Sequence, residues 1–226
     1  MCYSVESSLK TTTISLAAII YLLASTNRYY QWIAVTLVGW CFMQFSEFLL
    51  WLTDPRKCTE INTLITYTLI PLTLMMQALG VLLGSFLVFP WSSSSEFRKV
   101  FTVVYSIGVV LGVLFVHFYN RVETCTIVTK DGHLYWTNWI YPKEELYIHT
   151  YMYFLWVFIV ALPFILFWNK KPDLILALFL IPLIALWYAH YTDAKGSIWC
   201  YYTSYSSIIA SAFLLLDQLG IYKIVK

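Results

Sequence analysis

The chain has 226 residues, of which 60% are hydrophobic, 19% aromatic and 12% charged, with a mean hydropathy of +0.71 and a net charge of +2. Soluble domains average about 25% charged and 45–50% apolar residues, so a cytosolic enzyme domain and a disordered chain are excluded. So small a net charge leaves no basic stripe and excludes a nucleic-acid binder. The lipid bilayer is the partner that this composition implies.

A bilayer core of about 30 Å takes about 20 mostly apolar residues per helix. Seven stretches meet that demand: residues 8–25, 30–52, 61–89, 100–119, 148–168, 174–190 and 197–218. The breaks between them carry charges or turn formers, such as Asp54-Pro55-Arg56-Lys57 and Asn169-Lys170-Lys171-Pro172. Glu6 and Lys10 cancel in the leading segment of the first stretch, and Leu22 or Leu23 stands where cleavage wants a small residue, so it reads as a retained helix rather than a signal peptide.

The long fourth connection has structure of its own. Val122–Thr129 and His133–Ile140 are rich in β-branched and aromatic residues and flank Lys130-Asp131-Gly132. Asp-Gly predicts a two-residue hairpin turn with positive φ at both positions, and a hairpin over residues 122–140. The expected fold is an all-α membrane protein: a single domain, a seven-transmembrane-helix bundle with a short extracytoplasmic β-hairpin between helices 4 and 5.

Orientation follows from basic residues. With the hairpin set aside, Lys10, Arg56, Lys57 and Lys195 lie on one side. Arg28, Arg98, Lys99, Lys170, Lys171, Lys223 and Lys226 lie on the other. The positive-inside rule then puts the N-terminus outside and the C-terminus in the cytoplasm. Cys2, Cys58, Cys125 and Cys200 all map to the outer side, where four cysteines allow three pairings. Cys58 with Cys125 is the first pair to test, against the alternative that all four are free thiols.

Polar groups inside spans are costly and therefore informative. Gln44, Glu47 and Trp51 share one face of the second helix by i, i+3, i+7 spacing. His117 closes the fourth helix, His149 opens the fifth, His190 ends the sixth and Cys200 lies in the first turns of the seventh. All fall at one depth. Imidazole, thiolate and carboxylate are zinc ligands, so His117, His149, His190 and Cys200 form a candidate metal set. Glu47, with Ser4 and Asp193, is the matching catalytic candidate for metal-assisted hydrolysis. The competing reading is a structural cluster in which histidines meet the headgroups and Glu47 bonds its neighbours. The seventh span lacks a retinal-binding lysine, and no phosphate loop, HExxH, CxxC or Gly-x-Ser-x-Gly pattern occurs.

Three patterns together carry a resemblance: Met1-Cys2-Tyr3-Ser4 with Ser8, then Gln44-x-x-Glu47-x-x-x-Trp51, then Gly196-Ser197-Ile198-Trp199-Cys200. The chain resembles a family of small multi-pass membrane proteins opening Met-Cys-(Tyr/Phe)-Ser, associated with large DNA viruses of protists and algae and with bacteria. The family brings no activity. The resemblance implies a host or virion membrane, and it singles out Cys2, Ser4, Gln44, Glu47, Trp51, Trp199 and Cys200. A looser resemblance, in ingredients only, is to seven-helix ceramidase-type zinc hydrolases.

Three functions are therefore expected in order of preference. The first is a non-enzymatic membrane or assembly component acting through a protein partner or homo-oligomer. The second is an intramembrane metal-dependent hydrolase of lipid-like substrates. The third is a small proton-coupled transporter using Glu47.

Overall fold

A computed structural model of the chain describes residues 4–119, 125–136, 146–167, 172–189 and 194–222. Within them the protein is mostly helical, with one two-stranded antiparallel sheet. Helix α1 (Val5–Leu23) starts at Ser4, whose hydroxyl accepts from the Ser7 N–H at 3.1 Å and so satisfies one orphan donor of the first turn. Asn27 caps α2 (Arg28–Leu52) and Thr59 caps α3 (Glu60–Val88) by side-chain bonds of the same kind. Helices α4 (Glu96–Tyr119), α5 (Leu146–Phe167), α6 (Pro172–Ala189), α7 (Lys195–Ser204) and α8 (Ser206–Gln218) follow.

The stretch 197–218, read from the sequence as one span, is two helices. Its hydroxyls bond back to the helix: Thr203 to the Cys200 carbonyl, Ser204 to Tyr201 and Ser207 to Ser204. Such back-bonding competes with the backbone ladder, which lapses at Tyr205 although that residue stays right-handed (φ −68°, ψ −15°). Among the described residues three helices, α2, α3 and α4, are long and apolar enough to cross a membrane. α1 carries Glu6, Lys10 and Thr11-Thr12-Thr13, and α7 opens on Lys195 and continues through serine, threonine and tyrosine.

The hairpin is shorter than expected: strand β1 is Thr126–Val128 and β2 is Leu134–Trp136, in register Thr126 opposite Trp136. Residues 122–124 and 137–140 of the expected hairpin lie outside the described residues. The turn also differs. Thr129 N–H donates to the His133 carbonyl at 2.7 Å, enclosing Lys130-Asp131-Gly132, and Gly132 N–H donates back to Thr129. Only Gly132 has positive φ (80°) there. This is the three-residue loop in which glycine supplies the left-handed position, not the two-residue turn expected.

Polarity is arranged inside out. α2 is central, with 67% of its apolar window buried, and α4 is peripheral, with 6%. Around α2 a core forms from Trp32, Leu37, Trp40, Phe164 and Phe179, with Phe164 and Phe179 edge to face at 5.2 Å between centroids. Buried among these helices are Ser8, Thr12, Ser15, Thr36, Gln44, Ser46, Glu47, Thr73 and Gln77, while α4 turns Val103, Ile107, Leu111 and Phe115 outward. Among the described residues two ion pairs occur, Lys57–Asp54 in the α2–α3 turn and Lys99–Glu96 in the first turn of α4. The Lys57 ammonium bonded to Asp54 holds that carboxyl below the usual carboxylate range.

Candidate functional site

The polar residues of α1, α2, α3 and α7 meet in one region. Gln44 donates to a Glu47 carboxylate oxygen at 3.4 Å, and both side chains are fully buried. Deeper by about one helical turn, Gln77 of α3 donates to the Cys200 thiol at 3.8 Å and accepts from the Trp199 indole at 3.5 Å. The amide of Gln77 thus ties the Trp199-Cys200 pair of α7 to α3.

Register adds two hydroxyls to this layer. Ser15 of α1 donates to the Ser204 carbonyl at 3.1 Å, so parallel α1 and α7 are offset by 189 residues. The same offset places Ser8 level with Ser197. Both are buried, and neither hydroxyl has a hydrogen-bond partner among the described residues. A buried polar group without a partner is costly. A crevice of about 340 Å³ runs between α1 and α7 from Ser4 to Ser15, passing Glu6, Lys10, Tyr201 and Tyr205.

Other predicted positions are placed differently. Ser4 is exposed and serves as the α1 cap. Trp51 is half-buried beside Leu50 and Ile70, and its buried indole N–H has no acceptor among the described residues. His117 packs against Tyr67 of α3, with ring centroids 3.9 Å apart and the rings tilted by 45°. His149 has its backbone in α5 but its side chain outside the described set, and Cys2, His190 and Asp193 lie outside it altogether. Among the described residues no three His, Cys, Asp or Glu side chains are grouped to hold a metal ion. A disulfide joins Cys58, in the α2–α3 turn, to Cys125 at the foot of β1, with Cα atoms 5.5 Å apart.

Sequence reasoning passed over Gln77, a lone amide in an apolar stretch, although intramembrane polar residues are the signal it used elsewhere. It also passed over His133, the hairpin histidine. Burial pushes that imidazole below its ordinary pKa, so it packs as a neutral ring. Gly196 has a local reason: a Cβ there would lie 2.4 Å from the Trp136 ring, so glycine lets the hairpin's indole lie on the start of α7. No protein-family model, curated protein or solved structure matches the chain.

Proposed function

We propose that this chain is a multi-pass integral membrane protein crossing the bilayer seven times, with the N-terminus and hairpin extracytoplasmic and the C-terminus cytoplasmic. It works as a non-enzymatic membrane or assembly component through a protein partner or self-association. The inside-out polarity carries this reading: hydroxyls, amides and a carboxyl are buried between helices while Leu, Ile, Val and Phe cover the outside. That distribution suits lipid, where exposed polar groups are costly and buried ones join helices. The test uses Lys130→Cys in the hairpin and Arg98→Cys before α4 with a membrane-impermeant maleimide. Lys130→Cys labels in intact cells and Arg98→Cys only after permeabilisation. The reverse pattern overturns the orientation, and release of the chain by alkaline carbonate overturns insertion.

A second reading, a proton-coupled carrier, is favoured by one specific arrangement. Glu47 is an acid buried within an apolar helix and bonded by Gln44, with buried Ser8 of α1 and Ser197 of α7 level with each other on neighbouring helices. In proteoliposomes under an imposed pH gradient this reading expects wild-type protein to dissipate the gradient and Glu47→Gln to lose at least tenfold of that rate. Equal rates in the two proteins, or none in either, remove it and leave the non-enzymatic reading.

A further inference from the structure

Between α4 and α5 the bundle does not close. A cavity of about 450 Å³ lies there, walled by α3, α4, α5, the start of α7 and Trp136 of β2. On α4 its wall is Tyr105, Gly108, Val109, Gly112, Val113 and Val116, a single helical face. Nothing lies within 4 Å of where a Cβ would stand on Gly108 or Gly112, so the missing side chains themselves make the trough. At the Tyr105 end it is closed: that hydroxyl donates to the Ile159 carbonyl of α5 and lies 3.5 Å from the Ala78 carbonyl of α3. At the other end stands Trp136, and along the α7 wall are Gly196, Trp199 and Cys200.

We propose that this trough holds one acyl chain of a bilayer phospholipid from the leaflet on the hairpin side. Its dimensions choose the occupant. From Tyr105 to Val116 the α4 wall runs about 16 Å at 1.5 Å per residue, which is close to half of a hydrocarbon core about 30 Å thick. Taken to the walls, the trough is about 9 Å across over that length. A transmembrane helix, about 10–12 Å across with its side chains, does not enter it; an acyl chain, whose methylenes contact their neighbours at about 4 Å, does. Water is not a stable filling, because the lining is aliphatic and aromatic. Gly108 and Gly112 are exposed, so the trough opens along α4 and a chain enters it from the side. Gly108 and Gly112 also have the spacing of a helix-pairing motif; a second helix seated on them would leave wild-type protein with outward adducts and no trough adducts, and that outcome overturns the proposal.

The proposal rests on the bilayer reading, and its test separates the two. Full-length protein is reconstituted in phosphatidylcholine vesicles containing a phosphatidylcholine with a diazirine in one acyl chain, irradiated, and mapped by mass spectrometry. Adducts are expected on Val109, Val113 and Trp156 in the trough and on Ile107, Leu111 and Leu114 on the outward face. Gly108→Leu with Gly112→Leu fills the trough into open space, so the fold survives while trough adducts fall at least tenfold and outward adducts persist. Val113→Trp, from the same wall, is a second filling variant and gives the same loss. Trough adducts unchanged by either variant, or formed from a diazirine fatty acid but not from the phospholipid, overturn the proposal. Absence of the outward adducts overturns the bilayer reading itself, and the proposal with it.

Discussion

Gly39→Ala is expected to destabilise the protein by about 3 kcal/mol, the upper part of the usual range for forcing extra atoms into a packed seam. A Cβ at position 39 would lie 2.5 Å from the Met76 carbonyl oxygen and 2.7 Å from its carbon, both of them backbone. Neither atom can turn aside, so α2 and α3 must part by about 1 Å to restore ordinary contact near 3.5–4 Å. Gly80 meets the Thr36 carbonyl at 2.8 Å and Gly84 the Trp32 carbonyl at 2.9 Å in the same way, so the whole seam is built on absent side chains. Parting the helices also stretches the bonds that cross them: Trp32 Nε1 to the Val81 carbonyl at 3.0 Å, and Ser46 to Thr73 at 3.1 Å. Gly39→Leu goes further and prevents assembly. Gly112→Ala, facing open space, is expected to be neutral or to stabilise by up to about 1 kcal/mol through helix propensity. Unfolding midpoints in mixed micelles compare the variants; equal midpoints for Gly39→Ala and Gly112→Ala would mean that α2 and α3 do not meet as described.

The two glycine pairs also show where sequence reading stops. Gly80 and Gly84 are spaced as Gly108 and Gly112 are, and nothing local distinguishes them; one pair is filled by α2 and the other faces a void. The polar residues Gln44, Glu47 and Cys200 themselves were legible: Gln44 bonds Glu47 on α2, and Cys200 of α7 accepts from Gln77 of α3. Direction around each helix was not legible. The His117 ring lies against Tyr67, because which neighbour a helix face meets depends on helices far away in sequence. The helical stretches could be read because twenty apolar residues between polar breaks are a local fact. The lapse at Tyr205 and the three-residue turn at Gly132 depend on individual hydrogen bonds, which hydropathy does not report.

Removing the Cys58–Cys125 disulfide is expected to free the hairpin. The bond closes a separation of 67 residues, for which chain entropy gives a stabilisation of about 4 kcal/mol. That figure is an upper bound, since α3 and all of α4 lie within the closed segment, and helix that persists there reduces the entropy released. The strand is clamped a second time by Asn62 of α3. Its amide donates to the Thr126 carbonyl at 2.9 Å and accepts from the Thr126 N–H at 2.8 Å, while Thr66 and Thr126 hydroxyls meet at 2.7 Å. Asn62→Ala leaves two buried backbone groups unsatisfied, at about 1–3 kcal/mol each. Both anchors hold the same strand, so the loss from Cys58→Ser, Cys125→Ser and Asn62→Ala together is expected to fall short of the sum of the two separate losses. Tryptic cleavage after exposed Lys130 measures the release: each variant cleaves faster than wild type, the combined one fastest. A cleavage rate unmoved by loss of the disulfide would mean that Asn62 alone suffices. Trp136 lies on Gly196 and walls the cavity that reaches Cys200. A freed hairpin therefore uncovers that thiol, and its alkylation by a small maleimide should rise at least tenfold in the combined variant.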